Sequence, residues 1–271
     1  MKRAGMIIGI FLIVLAALAI SGCFSEASPE PEEPAEEGEN HAPETERDGG
    51  AKFIEPFSEP VEPAPILETT LRRNESGLPV VTNPNSILVL VNKERNLPSD
   101  YEPDDLVRPE VPFPFEGDMP RKLMRSGAAA ALEELVDAAS EEGLELYASS
   151  GYRSYSTQRD IFAYNAKTRG EDEANRFSAR GGQSEHQTGL AMDVTCPEVG
   201  FELVQRFGET AEGRWVADNA HRFGFIVRYP RGDEEITGYA YEPWHLRYVG
   251  ERHARRIHEM GVTFEEYMEN R

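Results

Sequence analysis

From Phe24 to Glu68 the chain carries 14 acidic residues, 2 basic ones and 8 prolines in 45 positions, and that stretch limits how much of the rest can fold. Like charges repel, proline stiffens the backbone, and there is almost no apolar periodicity to offset the entropy of ordering. The stretch reads as an extended, disordered tether running from residue 23 to residue 68, with one folded domain expected from residue 69 to residue 271. The 13 Phe, 10 Tyr and 2 Trp of the chain give such a domain enough apolar bulk for a core. Against 28 Lys and Arg stand 49 Asp and Glu, a formal charge of -21. That excess repels phosphate backbones, so nucleic acid is not an expected partner. Two cysteines, Cys23 and Cys196, do not make a disulfide framework.

Ahead of the tether, Lys2 and Arg3 precede an uncharged, mostly apolar run from Ala4 to Ile20, closed by the small residues Ser21 and Gly22 directly before Cys23. This is the pattern of a secretion signal over residues 1–22. Ile20-Ser21-Gly22-Cys23 resembles the lipobox of bacterial lipoproteins, which implies acylation of the Cys23 thiol and a membrane partner reached through that lipid. The other reading is a retained membrane helix that ends in Cys. Either way the domain is expected on the extracytoplasmic face of the cell membrane.

Beyond Thr69 helical and strand patterns are mixed rather than strictly alternating, so the expected fold class is α+β. A strand is expected at Ile87–Val91, an extended Pro-rich loop from Leu97 to Pro120, and an amphipathic helix from Arg121 to Ser140 that Gly143 ends. Strands follow at Leu144–Ser149, Gly189–Thr195, Phe225–Tyr229 and Trp244–Val249. Helices are expected after a cap at Ser156 or Thr157, at Trp215–Phe223, and at Glu251–Met260. Thr263 and Glu266 have the spacing of a capping box for a last short helix.

The run Ser184-Glu185-His186-Gln187-Thr188-Gly189-Leu190-Ala191-Met192-Asp193 places an imidazole and a carboxylate seven positions apart across a glycine. Gly189 lets the chain turn, so His186 on a loop and Asp193 on the next strand can meet at one ion. Glu242-Pro243-Trp244-His245 follows, and His245 would complete a His, Asp, His set with a fourth tetrahedral position open for water. Nitrogen and hard oxygen donors without thiolate favour Zn²⁺, although other divalent first-row ions would also bind. Glu242, three residues before His245, is placed to act as a general base, and Arg153 is the best candidate to stabilise a developing oxyanion. Spacing alone also fits buried histidines and aspartates with structural partners. There is no Ser-x-x-Lys, Lys-Thr-Gly or His-Glu-x-x-His motif in the sequence.

Three blocks resemble the signatures of the VanY-like zinc D-alanyl-D-alanine carboxypeptidases: Ser150-Gly151-Tyr152-Arg153-Ser154 with Gln158, the Ser184 to Asp193 run, and Glu242-Pro243-Trp244-His245-Leu246-Arg247-Tyr248-Val249-Gly250. A fourth stretch, Leu90-Val91-Asn92-Lys93, Leu97-Pro98, Tyr101 and Asp105-Leu106-Val107, is similar to the segment leading into those domains, so the resemblance spans about Ser86 to Val262. It implies a Hedgehog/DD-peptidase-like fold with a small antiparallel sheet flanked by helices. It also implies His186, Asp193 and His245 as zinc ligands, Glu242 as base and then acid, Arg153 as a stabiliser, and Ser184, Gln158 and Tyr152 in the substrate cleft. The implied reaction is hydrolysis of the terminal D-amino acid of peptidoglycan stem peptides. An L,D-carboxypeptidase, an endopeptidase on the same wall, and a non-catalytic wall-binding lipoprotein are the alternatives.

Overall fold

The computed structural model describes residues 67–269. Cys23, the signal run and the acidic tether lie outside the described residues. Two short hairpins come first: β1 (Leu71–Arg73) with β2 (Pro79–Val81), and β3 (Leu106–Val107) with β4 (Met124–Arg125). The main sheet is antiparallel and is built from β5 (Tyr147–Ser150), β6 (Ala191–Thr195), β7 (Phe225–Tyr229) and β8 (Glu242–Tyr248), in the order β5-β6-β8-β7. Helices α1 (Ser126–Glu141), α2 (Tyr155–Arg169), α3 (Glu171–Phe177), α4 (Ala211–Asn219), α5 (Glu234–Thr237), α6 (Glu251–Met260) and α7 (Phe264–Glu269) surround it.

Side chains alternate across a strand, and here the alternation separates core from site. Met192 and Val194 of β6 and Leu246 of β8 pack with Leu132, Leu135 and Ala139 of α1 in the larger apolar cluster. Asp193, His245 and Arg247 therefore point to the opposite face. On that side Ile226 of β7 packs with Ala254 and Ile257 of α6 and with Phe264 and Tyr267 of α7.

Several elements differ from the sequence expectation for identifiable reasons. Ile87–Val91 is not a strand: the Arg247 guanidinium, through Nη2, donates to the carbonyls of Ile87 at 3.0 Å and Val89 at 2.8 Å, taking the place of a neighbouring strand. Helix α1 starts at Ser126 rather than Arg121 because the preceding backbone is engaged elsewhere. Gly151 N–H donates to Arg121 O at 2.6 Å, Tyr152 N–H to Leu123 O at 2.7 Å, and Arg125 N–H to Gly189 O at 2.8 Å. Strand β5 begins at Tyr147, and α3 is an additional helix. The cap of α2 is Ser154, whose Oγ accepts from Thr157 N–H at 3.3 Å. Gly189 has φ 68°, the left-handed turn expected between the two ligand positions. The Thr263–Glu266 capping box forms reciprocally, at 3.2 Å from Glu266 N–H to Thr263 Oγ1 and 2.9 Å from Thr263 N–H to Glu266 Oε2. His221 stacks on His258 with ring centroids 3.7 Å apart.

Gly151 joins this scaffold to the chemistry. A Cβ there would lie 2.3 Å from Leu123 O and 2.8 Å from the Met192 methyl, so the two backbones approach only because the side chain is absent. Gly151→Ala should therefore cost about 1–3 kcal/mol or more. Thermal unfolding of the variant should show a clear drop, and an unchanged midpoint would contradict this account of the close approach.

Candidate metal centre and catalytic site

Asp193 and His245 are direct cross-strand partners on β6 and β8, so their side chains lie side by side on one face. His186 arrives from the one-turn 3₁₀ segment Glu185–Thr188 that Gly189 closes. One donor atom from each of the three lies within 4.8 Å of the others, and all three residues are buried. Asp193 Oδ1 is 3.3 Å from His186 Nε2 and 3.0 Å from His245 Nδ1.

The remaining ring nitrogens are fixed from behind. His186 Nδ1–H donates to Gly151 O at 2.7 Å, which leaves Nε2 as the donor to an ion. His245 Nε2 faces Glu185 Oε2 at 3.4 Å, which turns Nδ1 forward. Two imidazole nitrogens and one carboxylate, each oriented by a partner behind it, make a donor set that fits Zn²⁺ once His245 gives up its proton to the incoming ion. Burial, helped by Arg153, lowers His186 to about 4. Burial works against a charged His245, but its hydrogen bonds to Asp193 and Glu185 prevail and raise it to about 9. Burial likewise opposes ionisation of Asp193, and the two imidazoles override it and hold the carboxyl well below the usual range.

Glu242 and His245 are three residues apart on one strand, and regular alternation would put them on opposite faces. A bulge brings them together. Val227 pairs with Leu246 while Tyr229 pairs with Glu242, so two steps on β7 span four on β8. Both residues line a small polar pocket with His186, Ser184, Arg153 and Tyr239. Burial raises the Glu242 carboxyl to about 7; His245 opposes this and Asp193 reinforces it.

Arg153 Nη2 lies 3.2 Å from Asp193 Oδ2, and its Nη1 donates to Gln158 Oε1 at 3.0 Å. Gln158 is buried with both ends of its amide engaged, since Nε2 donates to Ala179 O at 2.7 Å. It faces the pocket mainly as a brace for Arg153. Ser184 is in the pocket wall, whereas Tyr152 lines a wider adjoining groove with Arg153, Ile161 and Leu203. Trp244 packs against the larger apolar cluster.

Glu185 did not stand out in the sequence as a site residue. Its buried Oε1 accepts from Arg228 Nε at 2.8 Å and from Arg247 Nη1 at 2.6 Å. Arg228 makes a second, two-pronged pair with Glu265 at 2.7 and 2.6 Å. Burial opposes the Glu185 charge, but the two guanidiniums override it and hold the carboxyl well below the ordinary range. The available signal was an arginine within each of two apolar strands, Arg228 in β7 and Arg247 in β8, because a buried cation requires a partner.

Residues 121–251 match the family model described as VanY: D-alanyl-D-alanine carboxypeptidase. The putative carboxypeptidase YodJ of Bacillus subtilis strain 168 is 52% identical over 193 residues, 71% of this chain and 71% of that protein. The chain belongs to the VanY family. Within the solved structures it is similar to the LdcB LD-carboxypeptidase, at 51% identity and a TM-score of 0.71, covering 73% of this chain and 92% of that one. A second VanY-family structure, a point mutant of the vancomycin-resistance D,D-pentapeptidase VanY in complex with Zn(II), is 33% identical with a TM-score of 0.55, covering 67% of this chain and 98% of that one. These neighbours establish the Hedgehog/DD-peptidase-like fold expected from the sequence and identify the chain as a carboxypeptidase-family hydrolase.

Proposed function

We propose that this protein is a zinc-dependent carboxypeptidase that releases the terminal D-alanine of peptidoglycan stem peptides. The observation that carries the proposal is the convergence of His186, Asp193 and His245 beside Glu242 and Arg153 in one pocket. Bound there, zinc supplies Lewis acidity that makes water nucleophilic near neutral pH. Glu242 takes the proton from the attacking water on its carboxylate and returns it to the departing amide nitrogen. Arg153, braced by Gln158, offers positive charge to the carbonyl oxygen as it becomes an oxyanion. The small polar pocket suits the single leaving residue, and the wider groove over Tyr152, Ile161 and Leu203 suits the rest of the peptide.

Free D-alanine is released either from the L,D bond of a tetrapeptide or from the D,D bond of a pentapeptide. The 51% identity to the LdcB LD-carboxypeptidase over 92% of its chain favours the L,D bond. The D,D reading expected from the sequence is supported by the description of the matched family. Mass spectrometry of tetrapeptide and pentapeptide muropeptides after incubation with the purified protein, with and without a chelator, separates the two. Failure of the zinc-loaded protein to release D-alanine from either would end the proposal.

Zinc loading is a separate test. After dialysis the wild type should retain about one zinc per chain, and Asp193→Ala should lose most of it, because two imidazoles alone hold the ion poorly. The acylated anchor at Cys23 is part of the same proposal and places the domain outside the cytoplasmic membrane. Metabolic labelling with an alkynyl fatty acid should mark the wild type and not Cys23→Ser.

A further inference from the structure

Two guanidiniums bond the buried Glu185 carboxylate, and both choose the same oxygen. Arg228 Nε and Arg247 Nη1 donate to Oε1, while Oε2 faces His245 Nε2 at 3.4 Å and has no other partner among the described residues. The division leaves one oxygen for the imidazole. Arg247 keeps its place through the backbone, since Nε donates to Tyr248 O at 3.1 Å and Nη2 to the carbonyls of Ile87 and Val89. Arg228 is placed by a side chain instead: its Nη1 and Nη2 donate to the two oxygens of Glu265 at 2.7 and 2.6 Å.

Glu265 lies in the first turn of α7 and is itself fixed. The Thr263–Glu266 capping box starts the helix just before it, and Asn92 Nδ2 donates to its Oε1 at 3.3 Å. The Phe264 ring covers both guanidiniums, with Arg228 Cζ 5.4 Å and Arg247 Cζ 5.1 Å from its centroid, and it offers them no acceptor. A buried guanidinium must find acceptors for its whole fork. With Glu265 occupying both Nη groups, Arg228 reaches Glu185 through Nε alone. Without Glu265 those two donors would be stranded beside a carboxylate whose Oε2 no cation has taken. A fork re-aimed at that oxygen would compete with His245 Nε2, and the imidazole would lose the partner that turns Nδ1 towards the ion.

We propose that Glu265 is a positioning residue for the metal centre: by holding the Arg228 fork it reserves Glu185 Oε2 for His245, and so couples α7 to the affinity for zinc. The inference rests on the zinc reading above and extends it to a residue that touches none of the three ligands. Zinc affinity, measured by chelator competition on the full chain, is the test. It should be run well below the apo unfolding midpoint of each protein, where the folded fraction is complete and lost stability alone leaves affinity unchanged. Glu265→Gln keeps the shape and removes the charge, and it should bind zinc about 10-fold more weakly, the lower end of the loss that follows removal of a partner behind a ligand. Glu265→Asp keeps the charge but is one methylene too short for the two-pronged grip, so it should also bind more weakly; it carries the test if Glu265→Gln does not fold. Met268→Ala supplies the control, because Met268 is buried on the same helix in the apolar cluster and its truncation costs stability without touching the carboxylate. Its midpoint should fall while its zinc affinity stays at the wild-type value. Wild-type affinity in folded Glu265→Gln or Glu265→Asp would overturn the proposal. An equal loss in Met268→Ala would overturn it too, since the effect would then belong to the packing of α7 and not to Glu265. A wild type that holds no zinc removes the metal reading itself, whereas a tightly loaded wild type with indifferent Glu265 variants removes this inference alone.

Discussion

Glu242→Gln should lower turnover by at least about 10²-fold while zinc stays bound, since positioned proton transfer contributes about 10²–10⁴-fold. The substitution keeps the shape of the side chain and removes only its ability to take a proton. Glu242 lies outside the three-donor cluster, so metal content should not change. Its setting suits proton transfer in both directions, because burial brings the carboxyl to about 7, where it can accept a proton and give it back. A divalent cation in the neighbouring cluster favours the charged form, so the value in the loaded enzyme should be lower. The sign follows from this. kcat/KM should fall as pH drops through the Glu242 value, on a limb lying below about pH 7, and the residual activity of Glu242→Gln should lack that limb. Full turnover by a zinc-loaded Glu242→Gln protein would mean that another group moves the proton.

What the sequence made readable, and what it hid, divides along range of interaction. The His186 to Asp193 arrangement depended on a local turn at Gly189 and on strand alternation, both of which are properties of a few consecutive residues. The placement of Glu242 beside His245 was expected from a motif, but its cause was not visible, because the β8 bulge exists only in register with β7. Ile87–Val91 has the composition of a strand, and what satisfies its carbonyls is a side chain about 160 residues away, which no local pattern announces. The start of α1 moved for the same reason, as distant Gly151 and Tyr152 use carbonyls that a helix would need. Glu185 is the strongest case. Its partners stand 43 and 62 positions along the chain, and nothing next to Glu185 distinguishes it from a solvent-facing acid.

Glu185→Ala should destabilise the domain by about 3–5 kcal/mol, the usual result of removing one member of a buried charge network. The side chain is fully shielded, and its loss strands Arg228 and Arg247 with Glu265 as the remaining carboxylate of the group, paired to Arg228 alone. For a domain of roughly 200 residues, each kcal/mol moves the midpoint by about 2–4 °C, so thermal unfolding should fall by about 6–20 °C. The pH dependence gives a second readout. The folded-state carboxyl is depressed, so its contribution is complete above the ordinary carboxylate range and is lost as pH falls through the folded value. The gap between wild type and variant should therefore be widest near neutrality and narrow on strong acidification. Glu185 also backs His245, and removing such a partner typically weakens metal binding by about 10–100-fold. Zinc competition against a chelator should show that loss in Glu185→Gln too, where the volume is kept and the charge is not. If Glu185→Ala unfolds at the wild-type temperature and holds zinc as tightly, then the carboxylate neither neutralises the two guanidiniums nor orients the imidazole, and the route from the buried network to the metal centre does not exist.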